Sequence, residues 1–254
     1  MSLFDLKGKV AVITGGNGGI GLGMARGFAL GGANVVIAGR NAAKSKAAAA
    51  EIAKLGVETA VLEVNVADDK SCKAMIDAAV AKMGRLDILV NNAGINIRKR
   101  PEAYAMSEWR EVLSINLDGA FYCSHAAHPA MKAAGGGKII NIGSMMSIFG
   151  AAFATPYAAS KGGIVQMTRA LATAWAVDNI QVNAILPGWI DTELTQKARE
   201  QIDSLHDNVL RRTPAARWGV PDDFSGIAMF LGSKASDFVT GTAIPVDGGF
   251  SIQG

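Results

Sequence analysis

The chain has 254 residues, half of them hydrophobic, enough to bury a substantial core in one large domain or two small ones. With 19% charged residues, a net charge of +3 and basic residues scattered along the chain, no nucleic-acid or membrane-surface footprint is expected, and a small polar partner is. Two cysteines far apart in sequence, Cys72 and Cys123, both in stretches that read as helices, argue against a disulfide framework or a zinc cluster and fit a reducing cytoplasm.

The first fifteen residues mix charges with short apolar runs, so no secretory leader is expected, and no segment approaches the ~18 uncharged apolar residues of a spanning helix. The first β-rich run is "KVAVIT" at 9–14. It leads into a glycine turn in which Gly15, Gly19 and Gly21 are spaced TGxxxGxG, and then into the helix-like "GLGMARGFALGG". A backbone that must approach a pyrophosphate needs residues without a Cβ, and the helix that follows turns its N–H groups and positive dipole end toward the anion. A tight strand-to-helix turn needs glycine in any case, so it is the position after a first strand that points to a dinucleotide site.

The second run, "NVVIA" at 34–38, ends in Gly39 and Arg40. An acidic side chain there would hold a ribose 2′-OH and repel a 2′-phosphate. Gly39 removes the repulsion and Arg40 supplies a planar cation, so NADP is expected over NAD. After the helix-like "NAAKSKAAAAEIAKLG" come five more strand runs, at 60–64, 87–90, 138–142, 180–186 and 241–246, again separated by alanine-rich stretches. The alternation predicts an α/β fold with a mostly parallel sheet covered on both faces. Residues 188–218, bracketed by Pro187 and Pro214, are the least regular and are expected to form a mobile lid.

In "TPYAASKGGI" at 155–164, Tyr157 and Lys161 stand four apart and share one helix face. A nearby ammonium favours the phenolate and brings a phenol of pKa ~10 toward the range useful for acid–base work. Ala158, Ala159, Gly162 and Gly163 leave room for ligands beside the pair. The histidines, His125, His128 and His206, have no partner at metal-ligand spacing, so no metal is expected.

Together these features resemble the short-chain dehydrogenase/reductase family over nearly the whole chain. The resemblance is carried by "TGGNGGIG" at 14–21, "NNAG" at 91–94, Asn116 in "SINLDG", Ser144 in "IINIGSM", the YxxxK pair and "PGWIDT" at 187–192. It implies one Rossmann-like, doubly wound domain over residues 1–254 with a seven-stranded sheet, a nicotinamide cofactor and a homotetramer. By the same resemblance, Tyr157 is the general acid/base, Lys161 binds the ribose and lowers the phenol pKa, Ser144 holds the substrate oxygen, and Asn116 holds a water of a proton relay. The cofactor is expected along Gly15, Asn17, Gly19, Ile20 and Gly21, then Arg40, then Asn65 and Val66. It continues along the stretch from Asn91 to Gly94, with Asn92 and Ala93, past Tyr157 and Lys161, to Pro187, Gly188 and Ile190, with Thr192 near the nicotinamide carboxamide. Two positions depart from common patterns: residue 18 is glycine where many NADP-using members carry a base, and Asn65 stands where an aspartate often meets the adenine.

For the substrate side the expected residues are Ser144, Tyr157, Met146, Trp189 and Arg98. Arg98, Lys99 and Arg100 in "NNAGINIRKRP" follow the fourth strand, where an α/β sheet opens to its ligand, and could hold a carboxylate; for any one of them solvated surface charge is the more ordinary role, and an acidic acyl carrier protein is another partner for the cluster. That run and residues 214–241 resemble gluconate 5-dehydrogenase and 2-deoxygluconate 3-dehydrogenase members more closely than thioester reductases. A sugar acid or polyol is therefore expected, with a 3-oxoacyl thioester as the alternative. A cofactor-sensing protein without turnover is the rival from another class, although such proteins usually lack the tyrosine or the lysine, and both are present here.

Overall fold

Alternation along the strands decides how this chain layers. In the computed structural model, which describes residues 3–253, Val10 and Val12 of β1 (Val10–Thr14) enter one apolar cluster, while Ala11 and Ile13 enter the other. Successive strand side chains point to opposite faces, so a strand apolar at every position must be covered on both. Six further strands join it: β2 (Asn34–Ala38), β3 (Thr59–Leu62), β4 (Ile88–Asn91), β5 (Gly137–Ile142), β6 (Ile180–Pro187) and β7 (Ala243–Val246). Their order is β3-β2-β1-β4-β5-β6-β7 and every pairing is parallel, giving one Rossmann-like, doubly wound sheet.

All seven expected strands are present, with shifted edges at the periphery. The third ends at Leu62 rather than at residue 64, because its sole partner, β2, ends opposite it at Ala38. The seventh starts at Ala243, opposite Ala184, after a left-handed Gly241 (φ +74°) turns the chain into register.

On one face lie α1 (Gly19–Leu30), α2 (Ala42–Ala53) and, late in the chain, α9 (Ser225–Gly232); Phe28, Phe224 and Leu231 fill the space against the sheet. The other face carries α3 (Asp69–Met83), α4 (Met106–Leu113), α5 (Gly119–Ala133) and α6 (Thr155–Trp175). There Met75, Ile76, Met131 and Leu171 pack together. Cys72 and Cys123, distant in sequence, enter the same apolar cluster between α3 and α5 as free, buried thiols. Among the described residues no helix is long and apolar enough to cross a membrane.

The stretch 188–218 is more ordered than its sequence suggests. It carries α7 (Glu193–Gln201) and α8 (Leu205–Arg212), whose Ala198, Leu205 and Val209 close a small apolar cluster on Trp218. Most positions there are polar, so the few apolar residues that define the inner face are easily overlooked.

Candidate active site

Strand order reverses between β1 and β4: from β1 the chain builds outward to β2 and β3, then returns to add β4 on the other side. The C-terminal ends of these two strands therefore diverge into a crevice, the place where open α/β sheets bind ligands. Side-chain hydrogen bonds fasten its floor. Thr14 Oγ1 accepts from the backbone N–H groups of Asn92 (3.1 Å) and Ala93 (3.2 Å), and Asn92 Nδ2 donates to the carbonyls of Thr14 and Gly15 at 3.0 Å each.

Two adjoining cavities fill the crevice, of about 820 and 450 Å³, sharing Gly15, Asn17, Arg40, Lys44, Ala93 and Gly94 as walls. The glycine turn fits a dinucleotide. Gly15 (φ +63°) and Gly19 (φ +51°) adopt backbone that L side chains rarely take. A Cβ on Gly21 would fall 2.5 Å from Asn92 Nδ2 and 2.7 Å from the Gly15 carbonyl, so this glycine lies beneath the cleft as packing rather than as wall.

Most of the expected cofactor residues line one cavity or the other. Asn65 and Val66 border the larger, with Arg40. Ile20, Asn92, Pro187, Gly188, Ile190 and Thr192 border the smaller, with Tyr157 and Lys161. Asn91 does not: it is buried behind the motif, where its Nδ2 donates to Asn141 Oδ1 (2.8 Å) and Ser124 Oγ (2.9 Å). Met146 and Trp189 also stand off both cavity walls, in an apolar cluster with Val165 and Phe250.

The reactive cluster is assembled from two elements. β5 delivers Ser144, whose Oγ accepts from the backbone N–H of Met146 at 3.1 Å in the turn that follows. Helix α6 delivers Tyr157 and Lys161, after Pro156 in its first turn. Ser147 Oγ donates to the Lys161 carbonyl at 2.7 Å and so ties the turn to the helix. Tyr157 and Ser144 both line the smaller cavity, where the Ser144 hydroxyl eases ionisation of the phenol. Lys161 Nζ donates to the Ile142 carbonyl at 2.6 Å and lies 5.6 Å from the centre of the Tyr157 ring.

Burial pushes the Tyr157 phenol above its ordinary value, and the Ser144 hydroxyl and the charge of Arg98 partly offset this. Burial brings Lys161 down from 10.5 to about 8. Two cations thus bear on the phenol: Arg98, whose charge eases its ionisation, and Lys161, whose ammonium is held by the Ile142 carbonyl near the ring.

Asn116 sits in a π-helical stretch, Ser114–Asp118, between α4 and α5, a feature that commonly marks functional positions. Its side chain is fully engaged: Oδ1 accepts from Ile95 N (2.8 Å), and Nδ2 donates to Ile95 O (2.9 Å) and Ser160 Oγ (3.1 Å). It clamps the segment after "NNAG" to α6.

The basic run divides. Lys99 pairs with Glu108 at 2.6 Å and Arg100 with Glu102 at 3.4 Å, while Arg98, half-buried, has no acidic partner among the described residues. Arg98 instead donates to Gln201 Oε1 (3.3 Å) and the Leu194 carbonyl (3.4 Å), at the two ends of α7. The histidines lie elsewhere: His128 bonds Asp178 at 2.8 Å, His206 accepts from Trp218 Nε1 at 3.2 Å, and His125 lies against Phe121. Lys44, which sequence reasoning passed over, borders both cavities and forms an ion pair with Glu193 of α7. Its one signal was a base four residues beyond Arg40.

Residues 15–251 match the family model described as enoyl-(acyl carrier protein) reductase. The 2-dehydro-3-deoxy-D-gluconate 5-dehydrogenase of Formosa agariphila is 42% identical over 250 residues, spanning 98% of this chain and 95% of its own. The gluconate 5-dehydrogenase of Gluconobacter oxydans is 36% identical over 251 residues, spanning 99% and 98%. A gluconate 5-dehydrogenase from Burkholderia cenocepacia, crystallised in complex with NADP and tartrate, superposes with a TM-score of 0.93 at 41% identity over 98% of this chain and 97% of its own.

Proposed function

The chain belongs to the short-chain dehydrogenase/reductase family, and from that premise we propose that it is an NADP-linked sugar-acid dehydrogenase with Tyr157 as its acid/base. It is a nicotinamide-dependent oxidoreductase acting on a sugar-acid alcohol. The observation that supports the assignment of roles is that Ser144, Tyr157 and Lys161 line one cavity together with the glycine turn.

Bound along Gly15, Asn17, Arg40 and Gly94, the nicotinamide cofactor supplies the hydride chemistry. The remaining steps belong to the chain. Ser144 orients the substrate oxygen by a hydrogen bond, and Tyr157 exchanges the proton with that oxygen, giving it up in reduction and receiving it in oxidation. In the reducing direction the raised phenol is already in its protonated form at neutral pH. In the oxidising direction the Arg98 charge and the Ser144 hydroxyl lower the barrier to the phenolate. Lys161 holds the ribose side of the cofactor, and Asn116 fixes the Ile95 backbone and Ser160. The preference for NADP is supported by Gly39 and Arg40 at the end of β2 and by the NADP carried by the Burkholderia relative. Arg98 is the anchor for the substrate carboxylate, and α7–α8 form the lid over it.

We further propose a cytoplasmic homotetramer; sedimentation velocity giving a species of the 26.3-kDa monomer size would overturn the assembly.

Absorbance at 340 nm, followed with NADP or NAD over gluconate-type acids, neutral polyols and a short 3-oxoacyl thioester, tests the activity. Sugar acids with NADP are expected to give the highest kcat/KM; a thioester preferred tenfold would replace this substrate class. Tyr157→Phe is expected to lose ~100- to 10,000-fold in kcat with the cofactor Kd unchanged, the usual range for an acid–base group. Retention of more than a tenth of kcat would remove Tyr157 from its role.

A further inference from the structure

Residue 18 is the place where the glycine turn lacks a base, yet the space beside it is not empty of charge. A Cβ on Gly18 would lie 3.2 Å from both Cε and Nζ of Lys44. The Lys44 ammonium thus occupies the position that a side chain at residue 18 would enter. We propose that Lys44 is a ligand of the cofactor 2′-phosphate, supplying from α2 the positive charge that the glycine turn does not. This deepens the NADP reading given above and rests on it.

Three features of the chain bring the ammonium there. Asn41 caps α2 by accepting from the Lys44 backbone N–H at 3.0 Å, which fixes the first turn of the helix and the root of the lysine side chain. Asn17 of the glycine turn donates to Ser45 Oγ at 3.0 Å, fastening the turn to the same helix. Gly39 leaves room for that bridge, since a Cβ there would sit 3.1 Å from Asn17 Nδ2. The absence of an acid at residue 39 therefore has a packing cause as well as an electrostatic one.

Arg40 and Lys44 are the two cations in the wall of the larger cavity, and both also border the smaller one. Arg40 is exposed and Lys44 half-buried, so the lysine is the better placed of the two to act with reduced solvent screening. Its present partner is the carboxylate of Glu193, an exposed side chain that opens α7. Lys44 holds that carboxyl below the ordinary glutamate range. An exposed carboxylate of single charge competes poorly with a phosphate that brings about two charges and three acceptor oxygens. The lysine accordingly exchanges Glu193 for the 2′-phosphate when NADP binds and keeps Glu193 when NAD does.

Titration calorimetry of NADP, NAD, 2′,5′-ADP and 5′-AMP against the full-length wild type, Lys44→Met, Lys44→Arg and Glu193→Gln tests this. Lys44→Met is expected to weaken NADP and 2′,5′-ADP at least tenfold and NAD and 5′-AMP less than threefold. Lys44→Arg should recover most of the loss, and Glu193→Gln should leave NADP binding as tight as in the wild type or tighter. Equal weakening of both cofactor pairs by Lys44→Met would make the lysine only a tether for α7, and no weakening of either would remove it from the site; both overturn the proposal. If the wild type prefers NADP and Lys44→Met keeps that preference, Lys44 alone is wrong. If the wild type binds NAD as tightly as NADP, the phosphate reading fails first and Lys44 with it.

Discussion

Tyr157 and Lys161 stand one helical turn apart and respond to the same burial in opposite senses. Burial disfavours the charged form of each, so it raises the phenol and lowers the ammonium, the latter from 10.5 to about 8. In the unfolded chain Lys161 titrates near ~10.4. Between about 8 and 10.4 the unfolded chain therefore binds more protons, and the contribution of this group to stability rises with pH across that window. Above pH ~10 the raised phenol acts the other way, because the unfolded tyrosine loses its proton first. In urea unfolding of the cofactor-free protein, the wild type should gain stability relative to Lys161→Met between pH 7.5 and 9.5. An identical difference at the two pH values would mean that Lys161 is not desolvated. The spacing of the pair was legible in the sequence, since four residues make one helix face. The environment of each side chain was not, because the Ile142 carbonyl and Arg98 arrive from elements 19 residues before Lys161 and 59 before Tyr157.

At the scale of elements, glycine turns were the readable parts and helix α7 the unreadable one. Gly15 and Gly19 announce themselves because few other residues tolerate their dihedrals, and the strands because β-branched runs have few other uses. Helix α7 is a nine-residue helix whose one buried residue is Ala198. It is held chiefly by charges: Glu193 to Lys44, Arg199 to Asp191 and over the Trp218 ring at 4.5 Å, and both ends to Arg98. Such a helix has little apolar area to anchor it, which agrees with the lid role proposed for it. The Arg98 bonds to it are long, and a carboxylate offers this guanidinium a stronger, bidentate partner. Arg98→Ala should therefore raise KM at least tenfold for a sugar acid while leaving KM for a neutral polyol within threefold. Were both to rise together, Arg98 would act by holding α7 in place and the carboxylate anchor would be lost.

Across the whole molecule, the two ends of the sheet have different work. All seven strands run parallel, so their C-terminal ends collect the glycine turn, Ser144 and the "NNAG" stretch, while their N-terminal ends carry no wall of either cavity. That division was legible from the alternation of strands and helices, because a right-handed crossover leaves the binding loops at one end. What was not legible is the ionic cluster at the opposite end. Asp87, just before β4, is 4% exposed and accepts from Lys9 Nζ (2.9 Å), Val10 N (3.0 Å) and Arg85 Nε (2.7 Å) and Nη2 (2.6 Å). Burial alone would raise this carboxyl, but the bonds from Arg85, Lys9 and the Val10 N–H outweigh it and hold it below the ordinary aspartate value. A carboxylate so depressed contributes stability that is complete above the unfolded pKa, ~3.9, and is lost as pH falls through the lower folded value. Asp87→Asn strands two half-exposed cations beside a buried amide, which should cost ~3 kcal/mol, the low end for breaking a buried pair because both partners retain solvent. Urea unfolding should show that deficit unchanged from pH 8 to pH 5 and shrinking below pH 4, with kcat/KM at 25 °C within twofold of the wild type. A kcat/KM reduced tenfold in the folded variant would show that the two ends of the sheet are coupled, and the separation of stability from chemistry in this fold would not hold.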